Sequence, residues 1–183
     1  DLATFHTQRL KPTGPADTFS GPAATAGSPT ARAVAITTED HAAVLLRFDD
    51  GVRGAFHVSQ VTAGRKNRLT IEIAATEGAL AWDSESPNRL WIGSRRGPNQ
   101  LLERDPALLG SSAAAISHYP GGHAEGFPDT FKQLFLDVYG WIVDDPAARQ
   151  PPTFPSFADG DQEVRICEAI ARSAAAGQWV SVS

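Results

Sequence analysis

The 183-residue chain contains one cysteine and no methionine. A lone thiol closes no internal disulfide, so the fold must rest on packing, and the redox compartment stays open. No apolar run approaches the roughly 20 residues that span a bilayer. The chain opens Asp1-Leu-Ala-Thr-Phe, with neither the basic nor the apolar stretch of a secretion signal. With no initiator methionine, we expect a processed or truncated piece of something longer, in a cytoplasmic setting. Positive charge is also scarce. Sixteen Lys and Arg stand against 21 Asp and Glu, a net charge of −5, which is a poor footprint for a phosphate backbone.

The common catalytic signatures are absent as well. No Gly-x-Gly-x-x-Gly follows a strand, and no Gly-x-x-x-x-Gly-Lys-Ser/Thr occurs. There is no Gly-x-Ser-x-Gly elbow, no Cys-x-x-Cys and no His-Glu-x-x-His. Chemistry that depends on a cofactor would therefore need residues this chain does not supply.

What is present is a globular composition. Hydrophobic residues make up 42 % and charged residues 20 %, which sets the chain apart from disordered sequences. The length favours a single domain over residues 1–183. Asp1 to His6 reads as a short strand. In Lys11–Ala31 every residue except Lys11, Asp17 and Phe19 is Pro, Gly, Ser, Thr or Ala. Such a stretch buries too little to offset its ordering entropy, so a mobile excursion is expected there.

The pattern then alternates with period two. Val44, Leu46 and Phe48 point one way, and Asp49-Asp50-Gly51 is a hairpin signal. Val52, Phe56 and Val58 share a face, and Gly54 leaves a gap on it for a bulky neighbour. Leu69, Ile71 and Ile73 alternate with Thr70 and Glu72. Thr76-Glu-Gly78 turns the chain, Ala79–Asp83 returns, and Leu90–Ile92 adds a further strand. Period 3.6 follows. Phe127, Phe131, Leu134, Phe135, Val138 and Ile142 line one helical face. Pro128 and Asp129 suit its first turn, and Asp144-Asp145-Pro146 stops it. A second helix is expected to turn Val164, Cys167, Ile170, Ala171 and Ala174 inward. Asp159 with Gln162 resembles a capping box, and Gly177 is a C-terminal stop. Trp179–Val182 reads as a last strand. Strands first and helices later predict an α+β fold, a largely antiparallel, open-faced sheet with helices packed on one face.

An ordered set of segments then resembles one family. These are Glu39 to Phe56, Ala63 to Ile73, Thr76 to Trp82, Gly122-His-Ala-Glu-Gly-Phe127, Phe157-Ala-Asp-Gly160 and Ser173-Ala-Ala-Ala-Gly-Gln-Trp-Val180. Together they are similar to the C-terminal domain of the glucose–fructose oxidoreductase, inositol dehydrogenase and rhizopine catabolism group (Gfo/Idh/MocA). The resemblance implies an N-terminal Rossmann domain, absent from this chain, that binds NAD or NADP and acts on a carbinol of a sugar, polyol or related compound. It implies that this domain walls the substrate pocket and forms a homo-dimer or larger oligomer through its sheet. The lysine of the family's Glu-Lys-Pro motif and its upstream histidine have no counterpart here, so no catalytic, cofactor-binding or metal-binding residue is assigned.

Six residues are expected to contact substrate. His123, in a glycine-rich loop before a helix, can hydrogen-bond a hydroxyl while Glu125 orients it, although both also suit a local capping role. Arg65, Lys66 and Asn67 can reach substrate or the cofactor domain, or form a solvated hairpin end. Trp82 can stack beneath a sugar ring; it and Trp91 are equally suited to a core or an interface. His57 lies on a polar face, and Cys167 is expected to be an inert core thiol. Two rivals remain open. One is a stand-alone association or ligand-binding module without catalytic activity. The other is a metal-dependent hydrolase built on His118, His123 and Glu125.

Overall fold

A computed structural model describes residues 1–13, 31–147 and 150–182. The fold is α+β, and every strand pairing among the described residues is antiparallel. Among the described residues the strands form three sheets rather than one, of three, two and four strands. The chain divides into two compact units, Asp1–Gly64 with Gly160–Ser183, and Arg65–Asp159. Among the described residues no helix is long and apolar enough to cross a membrane.

In the first unit, β1 (Leu2–Ala3) pairs with β4 (His41–Arg47), which pairs with β5 (Arg53–Ser59). The expected Asp-Gly hairpin joins β4 to β5. Gly51 has φ +88°, a conformation that glycine adopts without a Cβ penalty, and its N–H donates to Phe48 O at 3.1 Å. The gap at Gly54 is filled by Phe48 and Leu46, which a Cβ there would meet at 3.4 and 3.5 Å. Asp40, 3 % exposed, ties the N-terminal residues down. Its carboxylate accepts the Phe5 and His6 N–H groups, each at 2.9 Å.

A two-stranded ladder, β2 (Gln8–Pro12) with β3 (Ala31–Ala35), was not foreseen. Its last rung joins Pro12 to Ala31. Lys11, Pro12 and Ala31 are therefore strand residues, Thr13 is an exposed bend, and residues 14–30 of the expected excursion lie outside the described residues.

The last helix, α3 (Phe157–Ala176), corrects three expectations. Its cap is formed by Ser156, whose N–H and hydroxyl both donate to Asp159 at 2.7 Å, and not by Asp159 with Gln162. Its exposed side carries Val164 and Cys167. Ala169 is the buried position and Ile170 is half-buried, so the inward face is rotated and Cys167 is not a core thiol. Gly177 closes the helix as expected, with φ +64° and its N–H on Ser173 O at 2.9 Å. Residues 179–182 form no strand. The Trp179 ring instead lies under the Arg47 guanidinium at 3.9 Å.

The second unit is a meander, β6 (Thr70–Ala74), β7 (Gly78–Asp83), β8 (Arg89–Ser94) and β9 (Gln100–Glu103), in that spatial order. Its register puts Ile71, Ile73, Leu80, Trp82, Leu90, Ile92 and Leu102 on one face. That face is half-buried at β8 and β9 and open at the β6 edge, where Ile71 and Ile73 are 49 % and 60 % exposed. Helices α1 (Ser111–Ala115) and α2 (Phe127–Val143) follow. The Gly126 N–H donates to Asp129 at 2.9 Å and starts α2, with Pro128 in its first turn. The apolar stripe of α2 is present but exposed at Phe127, Phe131 and Phe135. Asp129, Lys132, Gln133 and Asp137 are on its half-buried side.

Candidate functional site

In a four-stranded antiparallel meander, the starts of the first and third strands and the ends of the second and fourth meet at one end of the sheet. Here the rungs Thr70↔Asp83 and Arg89↔Glu103 mark that end. Arg65, Lys66 and Asn67 precede β6, Trp82 is near the end of β7, Asn88 precedes β8, and Arg104 follows β9. The register thus gathers candidates scattered along the sequence at one end of the sheet.

The centre of this end is a pair that the sequence reading missed, Asn88 and Arg104. The Arg104 N–H donates to Asn88 O at 2.7 Å, and its Nε donates to Asn88 Oδ1 at 2.7 Å. From there the guanidinium reaches into residues 117–126. Nη1 donates to Ser117 Oγ at 2.7 Å and Tyr119 O at 2.8 Å. Nη2 donates to Pro120 O at 3.3 Å and also to His123 O. Five donors in a rigid fork suit arginine to gathering several acceptors in this way.

Glu125 holds the same loop from inside. Its Oε1 accepts the His118 and Tyr119 N–H groups at 2.6 and 2.8 Å, and its Oε2 accepts Ser117 Oγ at 3.2 Å. Arg104 Nη1 is 3.5 Å from Oε2, with side-chain exposures of only 12 % and 13 %. Asn88 closes the ring, donating from Nδ2 to Glu125 O at 3.3 Å and accepting the Glu125 N–H at 3.2 Å. Partial burial pushes the Glu125 carboxyl up. The His118 and Tyr119 N–H groups, the Arg104 charge and the Ser117 hydroxyl outweigh it and hold the carboxyl below its ordinary value.

Two glycines let the loop turn. Gly122 has φ +82°, and a Cβ on Gly121 would meet the Asp105 carboxylate at 3.2 Å. His123 is presented at the surface, its Nδ1 3.4 Å from Gly121 O. Glu125 does not orient that ring, as the sequence reading expected. Its oxygens hold the main chain of His118 and Tyr119, and so fix the loop that carries both histidines. Because those oxygens are already engaged, His118, His123 and Glu125 do not form a ligand set. Among the described residues no group of three His, Cys, Asp or Glu side chains could hold a metal ion.

The other candidates differ in how firmly they are held. Arg65 pairs with Glu85, which also lies 3.7 Å from Arg68. Arg68 donates to Asp83 from Nε at 2.9 Å and from Nη2 at 2.6 Å. The Asp83 carboxyl is held low, first by the Arg68 hydrogen bond and then by the Glu85 N–H. Lys66 and Asn67 are exposed. Trp82 is half-buried and donates from Nε1 to Pro87 O at 3.0 Å. Pro87 in turn lies beside Gly126. Trp91 is on the opposite face, paired with Ala81, so the two tryptophans do not form one platform. His57 lines a separate, mostly apolar cleft of about 800 Å³ in the first unit, shared with Leu45, Phe56, Ile170 and Trp179.

A dinucleotide needs a parallel βα turn whose helix N-terminus meets the pyrophosphate. Every described strand pairing is antiparallel, so no parallel βα turn of that kind occurs among the described residues, and no step through NAD is assigned to them.

The architecture is that of an antiparallel α+β domain whose polar loop is clamped to one end of a meander. Residues 6–81 match the sequence profile described as the GFO/IDH/MocA C-terminal domain. Over those residues the chain is similar to that family. It is 27 % identical over 153 residues to levoglucosan dehydrogenase of Pseudarthrobacter phenanthrenivorans, covering 80 % of this chain and 37 % of the relative. A crystal structure of an oxidoreductase domain protein from Kribbella flavida superposes with a TM-score of 0.74 at 29 % identity, covering 100 % of this chain and 44 % of that one. The inositol dehydrogenase homolog of Azotobacter vinelandii, solved with NADH and myo-inositol, superposes with a TM-score of 0.67 at 27 % identity, covering 77 % and 38 %. The chain therefore spans little more than a third of the length of the curated relatives it matches.

Proposed function

We propose that this chain is the substrate-side and oligomerisation domain of an NAD(P)-dependent oxidoreductase acting on a sugar, polyol or related carbinol. The observation that carries this reading is the convergence of Arg65–Asn67, Trp82 and the clamped 117–126 loop at one end of the four-stranded sheet. Hydride transfer requires the reacting carbon to be held at near-attack distance, and a rigid wall with hydroxyl-binding groups supplies that positioning. A separate Rossmann segment brings the nicotinamide, and its chemistry is hydride exchange with the carbinol. His123, Arg65, Lys66 and Asn67 bind substrate hydroxyls, Trp82 backs the sugar ring, and Glu125 keeps the loop in shape. The relatives' names support the substrate class: one is a levoglucosan dehydrogenase, and another was solved with myo-inositol.

The test is reduction of NAD or NADP by myo-inositol and levoglucosan, using the polypeptide encoded in the same reading frame as this chain. The expected result is turnover that falls when His123→Ala or Lys66→Ala is introduced. A reading frame with no dinucleotide-binding segment and no turnover would favour the association module. The 183 residues alone are expected neither to bind NADH nor to turn over substrate, and micromolar NADH binding by fluorescence would contradict that. The open apolar edge at Ile71, Ile73 and Leu80 supports self-association through the sheet. Sedimentation is expected to give a dimer or larger species, and a monomer at micromolar concentration would remove the oligomerisation role.

A further inference from the structure

His118 belongs to the clamped loop, but its ring is held from α2. Its Nε2 is 2.9 Å from Gln133 Oε1, and Gln133 Nε2 donates to Asp137 Oδ1 at 2.7 Å. The chain of partners fixes where the protons are. An ionised carboxylate only accepts, so Gln133 must turn its NH₂ toward Asp137 and its carbonyl oxygen toward His118. A carbonyl oxygen also only accepts, so the proton of the neutral imidazole must be on Nε2. Nδ1 is left with its lone pair, and among the described residues it makes no hydrogen bond. The ring is exposed, while its main-chain N–H is fixed on Glu125 at 2.6 Å. An imidazole anchored by its backbone, set in one tautomer and open at the accepting nitrogen is a preorganised acceptor for an O–H donor.

We propose that His118 is a ligand-binding residue that accepts a hydrogen bond from a polyol hydroxyl at Nδ1. Gln133 and Asp137 are positioning residues that set its tautomer. The proposal deepens the polyol reading above and rests on it. His123 differs in that its Nδ1 faces the Gly121 carbonyl, and it has no relay from α2. The same relay accounts for two of the polar residues on the half-buried side of α2, Gln133 and Asp137, which are spaced i, i+4 and meet along the helix surface.

The test is imidazole ¹⁵N spectroscopy of the full histidine-labelled chain at neutral pH. The wild type is expected to show His118 protonated at Nε2. Gln133→Leu should give a mixture of tautomers, and Gln133→Glu, which restores an acceptor oxygen, should recover the single one. Adding myo-inositol should move the His118 Nδ1 signal, and Gln133→Leu should weaken that binding roughly tenfold, the scale of one hydrogen bond. A proton on Nδ1 in the wild type, or a tautomer indifferent to Gln133→Leu, overturns the assignment and leaves the polyol reading intact. An inositol response at His123 without one at His118 does the same. An Nε2–H tautomer with no inositol response anywhere in the loop overturns the polyol reading together with the ligand assigned to His118.

Discussion

Asp40 and Glu125 are both well-shielded carboxylates that accept two main-chain N–H groups. Asp40 does so with no ion-pair partner among the described residues, and its carboxyl is held low chiefly by the Phe5 and His6 N–H groups. It joins residues near the chain start to the β4 edge. Glu125 adds Arg104, Ser117 and Asn88, and what it holds is a loop with two surface histidines. Asp40 thus secures an end of the first unit, whereas Glu125 shapes a surface in the second. A short chain segment can be fixed by two hydrogen bonds, but a ten-residue loop (117–126) needs a hub with many donors, because each ordered residue costs about 1–2 kcal/mol of backbone entropy.

That contrast can be tested by substitution. Arg104→Leu should have the largest effect. It strips the acceptors of residues 117–123 and leaves Glu125 without its cation, at a cost of about 2–4 kcal/mol. Urea denaturation should show it, and hydrogen exchange should accelerate over 117–126 while β4 and β5 keep their protection. Asp40→Asn should act less, because an amide can still accept one of the two N–H groups, with faster exchange confined to Phe5, His6 and their neighbours. Equal exchange profiles for the two variants would erase the distinction. Gly177→Ala serves as a local control in the first unit, expected to cost about 1 kcal/mol at its left-handed position and to leave the 117–126 loop untouched.

Acid supplies a finer comparison. Both carboxyls have folded values below their ordinary ones. Their stabilisation is therefore complete above the ordinary carboxylate range and is lost as pH falls through the folded values. In Arg104→Leu, burial still raises the Glu125 value while one lowering influence is gone. Acid loosening of the loop should then begin at a higher pH than in the wild type, with the Asp40 response unchanged. An unshifted acid profile would mean that the N–H groups alone keep Glu125 ionised.

The readable parts of this molecule were those governed by local periodicity. The β4–β5 hairpin, β6, β7, β8 and α2 followed from alternation, an Asp-Gly turn and a helical stripe. Strand β9 went unseen because Leu101 and Leu102 are adjacent and break the alternation. The β2–β3 ladder went unseen because its partners flank a long segment rich in small residues. On α3, the expected stripe placed Ile170 and Ala174 correctly on the shielded side but missed Ala169 and included Val164, Cys167 and Ala171, which are exposed. The site was legible only in outline. His123, Glu125, Arg65, Lys66, Asn67 and Trp82 could be named, but Arg104 and Asn88 gave no local signal. Their role comes from strand register, which places residues 16 apart in sequence on adjoining strand ends. The roles of Gln133 and Asp137 depend on a loop folding back over a helix, which sequence spacing does not report.

The rung that joins Pro12 to Ala31 has a practical consequence for anyone who wishes to label this protein. Because the chain departs and re-enters at facing positions, whatever lies between them can be exchanged for a reporter tag or a tight reverse turn without altering the spacing of its anchor points. A doubling of the insert costs only about 0.6 kcal/mol of closure entropy. The ladder is thus a built-in attachment port, remote in sequence from the histidine loop it would be used to study.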